Sequence, residues 1–223
     1  MNMKFAVIVF PGSNCDHDAY YALKKKLLID VEFIWHKETS LKGFSGILIP
    51  GGFSYGDYLR TGSIARFSPI MKSLVREANK GVPVIGICNG FQILLESGLL
   101  PGALINNKKI KFLSKQVTLD VITNQSIFSN KLNNGDKLKM PIAHREGNYI
   151  ASQDVINRLE DQNRIIFKYS NKNPNGSMHG ICGIVNKNRN VLGMMPHPER
   201  ACEKLLGSND GKKIFESILG GYN

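Results

Sequence analysis

The chain has 223 residues, a length that suits one large domain able to bury about 70–75% of its unfolded surface without a disulfide or metal staple. Its 29 Lys and Arg against 18 Asp and Glu leave a formal charge of +11, but Lys outnumbers Arg 21 to 8 and is scattered, with no basic stripe interleaved with aromatics, so nucleic acid is not an expected partner. No apolar run reaches the roughly 18 residues of a membrane span, so no membrane partner is expected, and Cys15, Cys88, Cys182 and Cys202 are too spread to suggest a disulfide framework.

The opening "MNMKFAVIVF" has no small-residue cleavage site and reads as a first strand over 4–10 rather than a signal peptide, so a cytoplasmic protein with reduced thiols is expected. The N-x-S sequences at Asn124 and Asn175 are then not glycosylation sites. "PGSNCD" is a turn, followed by a helix over 17–27. "VEFIWH" (31–36) and "GILIP" (46–50) are strands, the second closed by "GGFSYGD". Apolar residues recur at three- to four-residue spacing from Ile64 to Val75, predicting a helix over 64–80. "VPVIGI" (82–87) is a buried strand, and "NGFQILLESG" a helix stopping at Gly98. Continuous apolar strands alternating with helices predict an α/β domain whose central sheet is mostly parallel. The second half differs. "VTLDVI" (117–122), "RIIFKYS" (164–170), "GICGIV" (180–185) and "NVLGMMP" (190–196) are strand-like, with a hairpin at "NKNRN" and a closing helix in "GKKIFESILG". They predict an antiparallel addition within one domain spanning residues 1–223.

Cys88 stands in Gly86-Ile87-Cys88-Asn89-Gly90, at a strand end where a helix begins. This is the G-x-nucleophile-x-G spacing of a nucleophile elbow, whose turn is too crowded for side chains on both flanks. Ligands of open α/β sheets bind at such carboxyl ends, a helix start favours a thiolate, and the Asn89 N–H faces the place where an oxyanion would form. A thiol nucleophile needs a base, and the base an orienting group. Of the five histidines, His197 in "MMPHPER" also lies at a strand end, between Pro196 and Pro198, with Glu199 two residues on and so on the same face of an extended segment. In "LIPGGFSYGD", Gly51 and Gly52 just past a strand can bring backbone N–H groups close to a ligand. A metal site at Cys15-x-His17 is not expected from two ligands alone.

Together, the Cys88 elbow, "GGFSYGDYLRTGSIARF" and "LGMMPHPERA" resemble the class I (triad) glutamine amidotransferases, and within them the glutaminase subunits that serve purine biosynthesis; the resemblance runs from residue 5 to about residue 218. It implies Cys88 as nucleophile, His197 as base and Glu199 as orienting carboxylate. It implies oxyanion donors at the Gly52 and Asn89 amides, and glutamine-binding positions at Gly51, Gly52, Asn89, Gln92, Arg145 and Glu146. Arg145, in "PIAHREGN", stands where related enzymes often have Gly. No G-x-x-x-x-G-K-[ST] or G-x-G-x-x-G sequence is present. The resemblance accordingly implies no cofactor in this chain, with ATP and Mg handled by a large synthase partner accompanied by a small third subunit. Tyr55, Asp57 and Arg60 of the loop 53–60 suit an interface with that partner. A cysteine hydrolase of other amides or esters, and a scaffold with a dead site, are the rival readings.

Overall fold

The computed structural model describes residues 3–221. In chain order the first half comprises β1 (Lys4–Val9), α1 (Asp16–Tyr21), β2 (Asp30–Trp35), β3 (Gly46–Ile49), α2 (Pro69–Asn79), β4 (Val84–Ile87) and α3 (Asn89–Glu96). The second half comprises β5 (Ala103–Ile105), β6 (Leu113–Val121), β7 (Lys137–His144), β8 (Asn148–Ile150), α4 (Gln153–Asp161), β9 (Ile165–Tyr169), β10 (Ile181–Val185), β11 (Val191–Met194) and α5 (Lys212–Gly220). Nine strands form one sheet in the order β2-β1-β3-β4-β11-β10-β9-β6-β7, and β5 and β8 form a small antiparallel pair. Strands β2, β1, β3, β4 and β11 are parallel neighbours, and the remaining ladders are antiparallel. Within the sheet only β10 and β6 run against the others, so it is mostly parallel with an antiparallel extension, as the sequence suggests.

Every residue of β3, β4 and β11 is buried, the pattern of strands covered on both faces. These three are adjacent and parallel, so the chain leaves them at the same edge: at Gly51 after β3, at Cys88 after β4 and at His197 after β11. Helix α3 crosses behind this edge and contacts all three strands. It stops at Glu96, with Gly98 in the left-handed conformation (φ 73°), as the glycine signal indicates. The extension curls back to the same edge, where the His197 N–H donates to the Pro141 carbonyl of β7 at 2.9 Å.

Several elements differ from expectation. The helix predicted over 64–80 is divided into a short 3-10 turn (Ala65–Phe67) and α2, because Ser68 precedes Pro69 and is held extended at ψ 143°. The helix after the first turn is regular only to Tyr21 and continues as a π-helical turn over Ala22–Lys26. Strand β6 begins at Leu113, four residues before the apolar stretch used to predict it, and β7 and α4 are additional.

Candidate active site

The β4–α3 junction forms a strained elbow. Cys88 has φ 52° and ψ −105°, a conformation that costs a non-glycine residue about 1–3 kcal/mol. Hydrogen bonds fix it from both sides: the Cys88 N–H donates to the Met194 carbonyl at 2.8 Å, and the Gln92 N–H to the Cys88 carbonyl at 3.2 Å. The flanking glycines are required by close approach. A β-carbon on Gly86 would lie 2.6 Å from the Gly90 carbonyl oxygen, and one on Gly90 would overlap the Ile49 carbonyl. The buried Cys88 thiol is directed at the Ala143 carbonyl, 3.6 Å away.

His197 and Glu199 are buried together, and His197 Nδ1 lies 2.5 Å from Glu199 Oε1. The contact is made through a 3-10 turn over Pro198–Arg200 rather than the extended segment expected, since Pro198 at the first helical position starts the turn. The short Nδ1 contact assigns the proton-bearing nitrogen to the Glu199 side and leaves Nε2 toward the thiols, where it makes no well-formed hydrogen bond. Burial alone would lower the His197 pKa, but the Glu199 carboxylate and the nearby Cys88 and Cys15 thiols outweigh it and hold the pKa well above its ordinary value.

A cavity of about 330 Å³ opens onto Cys88 and is lined by Gly52, Phe53, Asp57, Thr61, Gln92, Phe112, Ala143, His144, Arg145 and Glu146. Cys88 and four of the expected binding positions, Gly52, Gln92, Arg145 and Glu146, therefore share one pocket. Gly51 sits behind it, so close that a β-carbon there would be 2.7 Å from His197 Cε1 and 3.4 Å from Cys88 Cβ. Gly52 has φ 137°, open to glycine, and no partner for its N–H is found among the described residues. Asn89 begins α3, and the first N–H groups of a helix have no partner within it. The two candidate oxyanion donors therefore follow adjacent parallel strands, Gly52 after β3 and Asn89 after β4.

The side chains of Asn89 and Gln92 are engaged in holding the pocket together. Asn89 Oδ1 accepts from the Ser54 N–H at 3.1 Å and Asn89 Nδ2 donates to Gln92 Oε1 at 2.9 Å. Gln92 Nε2 donates to the Glu146 carbonyl at 2.7 Å. The Arg145 and Glu146 wall is a tight turn between β7 and β8. Asn107, absent from the sequence expectations, braces it by accepting from the Gly147 N–H at 3.1 Å and donating to the His144 carbonyl at 2.9 Å. His144 Nδ1 meets Asn107 Oδ1 at 3.0 Å. Burial first, and the charge of His197 second, push the His144 pKa down to about 4, so its ring is neutral near pH 7. Arg145 itself is exposed at the pocket rim.

Of the loop residues expected at an interface, Tyr55 is tied inward, its hydroxyl 2.8 Å from His36 Nδ1 and 2.9 Å from Ser68 Oγ. Arg60 makes two bonds to Glu96, at 2.7 and 2.8 Å. Asp57 lines the cavity. Cys15 and His17 do not converge: His17 is exposed, while Cys15 is buried beside His197. Cys15, His197 and Glu199 each bring a potential ligand atom within 4.8 Å of the others. Those atoms already serve one another, with Glu199 on His197 and the Arg200 guanidinium donating to Cys15 Sγ at 3.1 Å.

A family model for the CobB/CobQ-like glutamine amidotransferase domain matches residues 2–216. Among solved structures, PurLQS from Thermotoga maritima matches with 42% identity and a TM-score of 0.92, covering 100% of both chains. A GMP synthase component from Thermoplasma acidophilum is 17% identical with a TM-score of 0.67, covering 99% of this chain and 94% of its own. A glutamine amidotransferase from Thermotoga maritima is 15% identical with a TM-score of 0.58, covering 100% and 83%. The last two likenesses concern the fold alone. Among the described residues no helix is long and apolar enough to cross a membrane.

Proposed function

We propose that this chain, which belongs to the CobB/CobQ-like glutamine amidotransferase domain family, is the glutaminase subunit of a phosphoribosylformylglycinamidine synthase in purine biosynthesis. It hydrolyses L-glutamine to glutamate and ammonia. The observation that carries the reading is the buried His197–Glu199 pair facing a thiol held on a strained elbow, in a chain that is 42% identical over its full length to PurLQS.

In this reaction His197 Nε2 takes the Cys88 thiol proton, and the sulfur attacks the side-chain amide carbon of glutamine. The Gly52 and Asn89 N–H groups hold the oxyanion; one such donor is typically worth about 2.7–4 kcal/mol of barrier. The imidazolium, oriented by Glu199, then protonates the departing nitrogen as the C–N bond breaks, leaving a glutamyl thioester on Cys88 and free ammonia. Water, deprotonated by His197, attacks the thioester, the sulfur leaves as the restored thiol, and glutamate is released. Gln92, Arg145 and Glu146 bind and orient the substrate, Gln92 chiefly by fixing the Glu146 wall.

Ammonia is useful only beside an activated acceptor, and the sequence carries no phosphate-binding loop. On this reading the ATP- and Mg-using chemistry belongs to a large synthase partner, joined by a small third subunit in the cytoplasm. The test is glutamate release by the assembled complex with ribonucleotide substrate and ATP. Release by the wild type and loss of more than a hundredfold in Cys88→Ala support the reading; glutamate release that survives the substitution rejects it.

A further inference from the structure

Two acidic residues line the cavity from two different loops. Asp57 comes from the β3–α2 loop and Glu146 from the β7–β8 turn. Thr61 Oγ1 donates to Glu146 Oε2 at 2.7 Å and orients that carboxylate. Asp57 Oδ1 is fully buried and makes no hydrogen bond, and no Lys or Arg pairs with Asp57 or Glu146 among the described residues. A buried, unpaired carboxylate oxygen beside a second carboxylate is unfavourable in the empty pocket. Its backbone is unfavourable as well, since Asp57 has φ 54° and Tyr55 φ 55°. The hydroxyl contacts of Tyr55 hold the loop in this shape. An acidic residue so placed calls for a cation as its partner.

Resting on the glutaminase reading, we propose that Asp57, with Glu146, receives the α-ammonium group of glutamine and so sets the preference for a free α-amino acid over a simple primary amide. The substrate has the right polarity for this pocket. Its reacting carbon is at Cys88, its α-ammonium is four bonds away, and its α-carboxylate has Arg145, the one guanidinium among the lining residues. Burial first and the Glu146 charge second raise the Asp57 pKa, so the two carboxylates that line this cavity lie close enough to sense each other. An ammonium there removes the repulsion and satisfies the orphaned oxygen. The Coulomb and hydrogen-bond gain then appears only with a cationic substrate.

The experiment uses the assembled synthase and compares L-glutamine with glutaramate, which has the same amide and carboxylate but no amino group. In Asp57→Asn, kcat/KM for glutamine is expected to fall about 10- to 100-fold, the range for a lost charged hydrogen bond, while that for glutaramate stays within about twofold. Competitive inhibition by L-glutamate and by glutarate, which differ by the same ammonium, gives the comparison as binding: only the glutamate constant should rise. Equal losses with both members of a pair, or no loss with either, overturn the inference and assign Asp57 to loop structure or to the partner interface. Failure of the wild-type complex to release glutamate would instead overturn the glutaminase reading.

Discussion

The α3 backbone at Gly90 lies against the carbonyl of Ile49, the last residue of β3, so closely that no β-carbon fits between them. This contact sets how near the elbow can approach the strand that delivers Gly51 and Gly52, and hence the separation between Cys88 and the Gly52 N–H proposed as an oxyanion donor. Gly90→Ala is expected to destabilise the protein by about 1–3 kcal/mol through overpacking, roughly 2–10 °C in Tm. Glutaminase activity should fall further than stability does, because a misplacement near 1 Å can cost about a hundredfold. Thermal unfolding and glutamate release on the same sample check both.

In the proposed reaction Glu199 holds His197 in one tautomer, through the Nδ1–Oε1 contact, and does not itself exchange protons with substrate. Glu199→Gln is expected to keep the fold and lower kcat by at least about a hundredfold, with His197→Ala costing no less. Circular dichroism and steady-state rates test it, and wild-type turnover in Glu199→Gln would remove this residue from the site.

The Asp57 carboxyl, pushed up to about 6 by burial and then by Glu146, gives stability a definite pH dependence. Its folded pKa exceeds its unfolded value of 3.8, so between these pH values the folded state binds the extra proton and stability falls as pH rises. The penalty is complete above about pH 6. Because the side chain is only half buried, solvent screening reduces it to the order of 1 kcal/mol. Asp57→Asn should therefore unfold at a higher temperature than the wild type at pH 8 and at nearly the same temperature at pH 4. A difference that is constant across pH would contradict this.

Arg60 ties the loop carrying Gly52 to Glu96 at the far end of α3, the helix that begins beside Cys88. The guanidinium is largely exposed, so docking of the proposed synthase partner would exchange this contact for one of its own. Arg60→Ala is expected to retain the basal glutaminase rate of the isolated chain and to lose most of the stimulation by synthase, substrate and ATP. Full stimulation of the variant would place the relay elsewhere.

The first half of the fold and the meeting of Gly51, Cys88 and His197 at one sheet edge were legible because each depends on local pattern: apolar strands, glycines around Cys88, and prolines around His197. Strand β7 was not, although Leu138, Met140, Ile142 and His144 are buried in alternation. Pro141 argues against a strand interior, and is accommodated here because β7 is the sheet edge. Helix α4 buries only Ile156 and Leu159, too few apolar positions for a clear helical period. The bracing of the pocket was hidden for another reason. Asn107 contacts a histidine 37 residues away, and Asp57 meets its environment across the cavity. No spacing rule reports such pairs. Cys15 belongs to the same class, brought beside His197 only by the packing of the β1–α1 turn against Gly51.

That packing makes one measurement decisive. Two buried thiols, Cys15 and Cys88, lie near the same imidazole, and of these two only Cys88 sits on the elbow at the start of α3. A diazoketone analogue of glutamine, incubated with the assembled complex and mapped by peptide mass spectrometry, is expected to leave one adduct per chain, on Cys88, formed in step with loss of glutaminase activity and blocked by excess glutamine. An adduct on Cys15, or inactivation without modification of Cys88, would contradict Cys88 as the nucleophile.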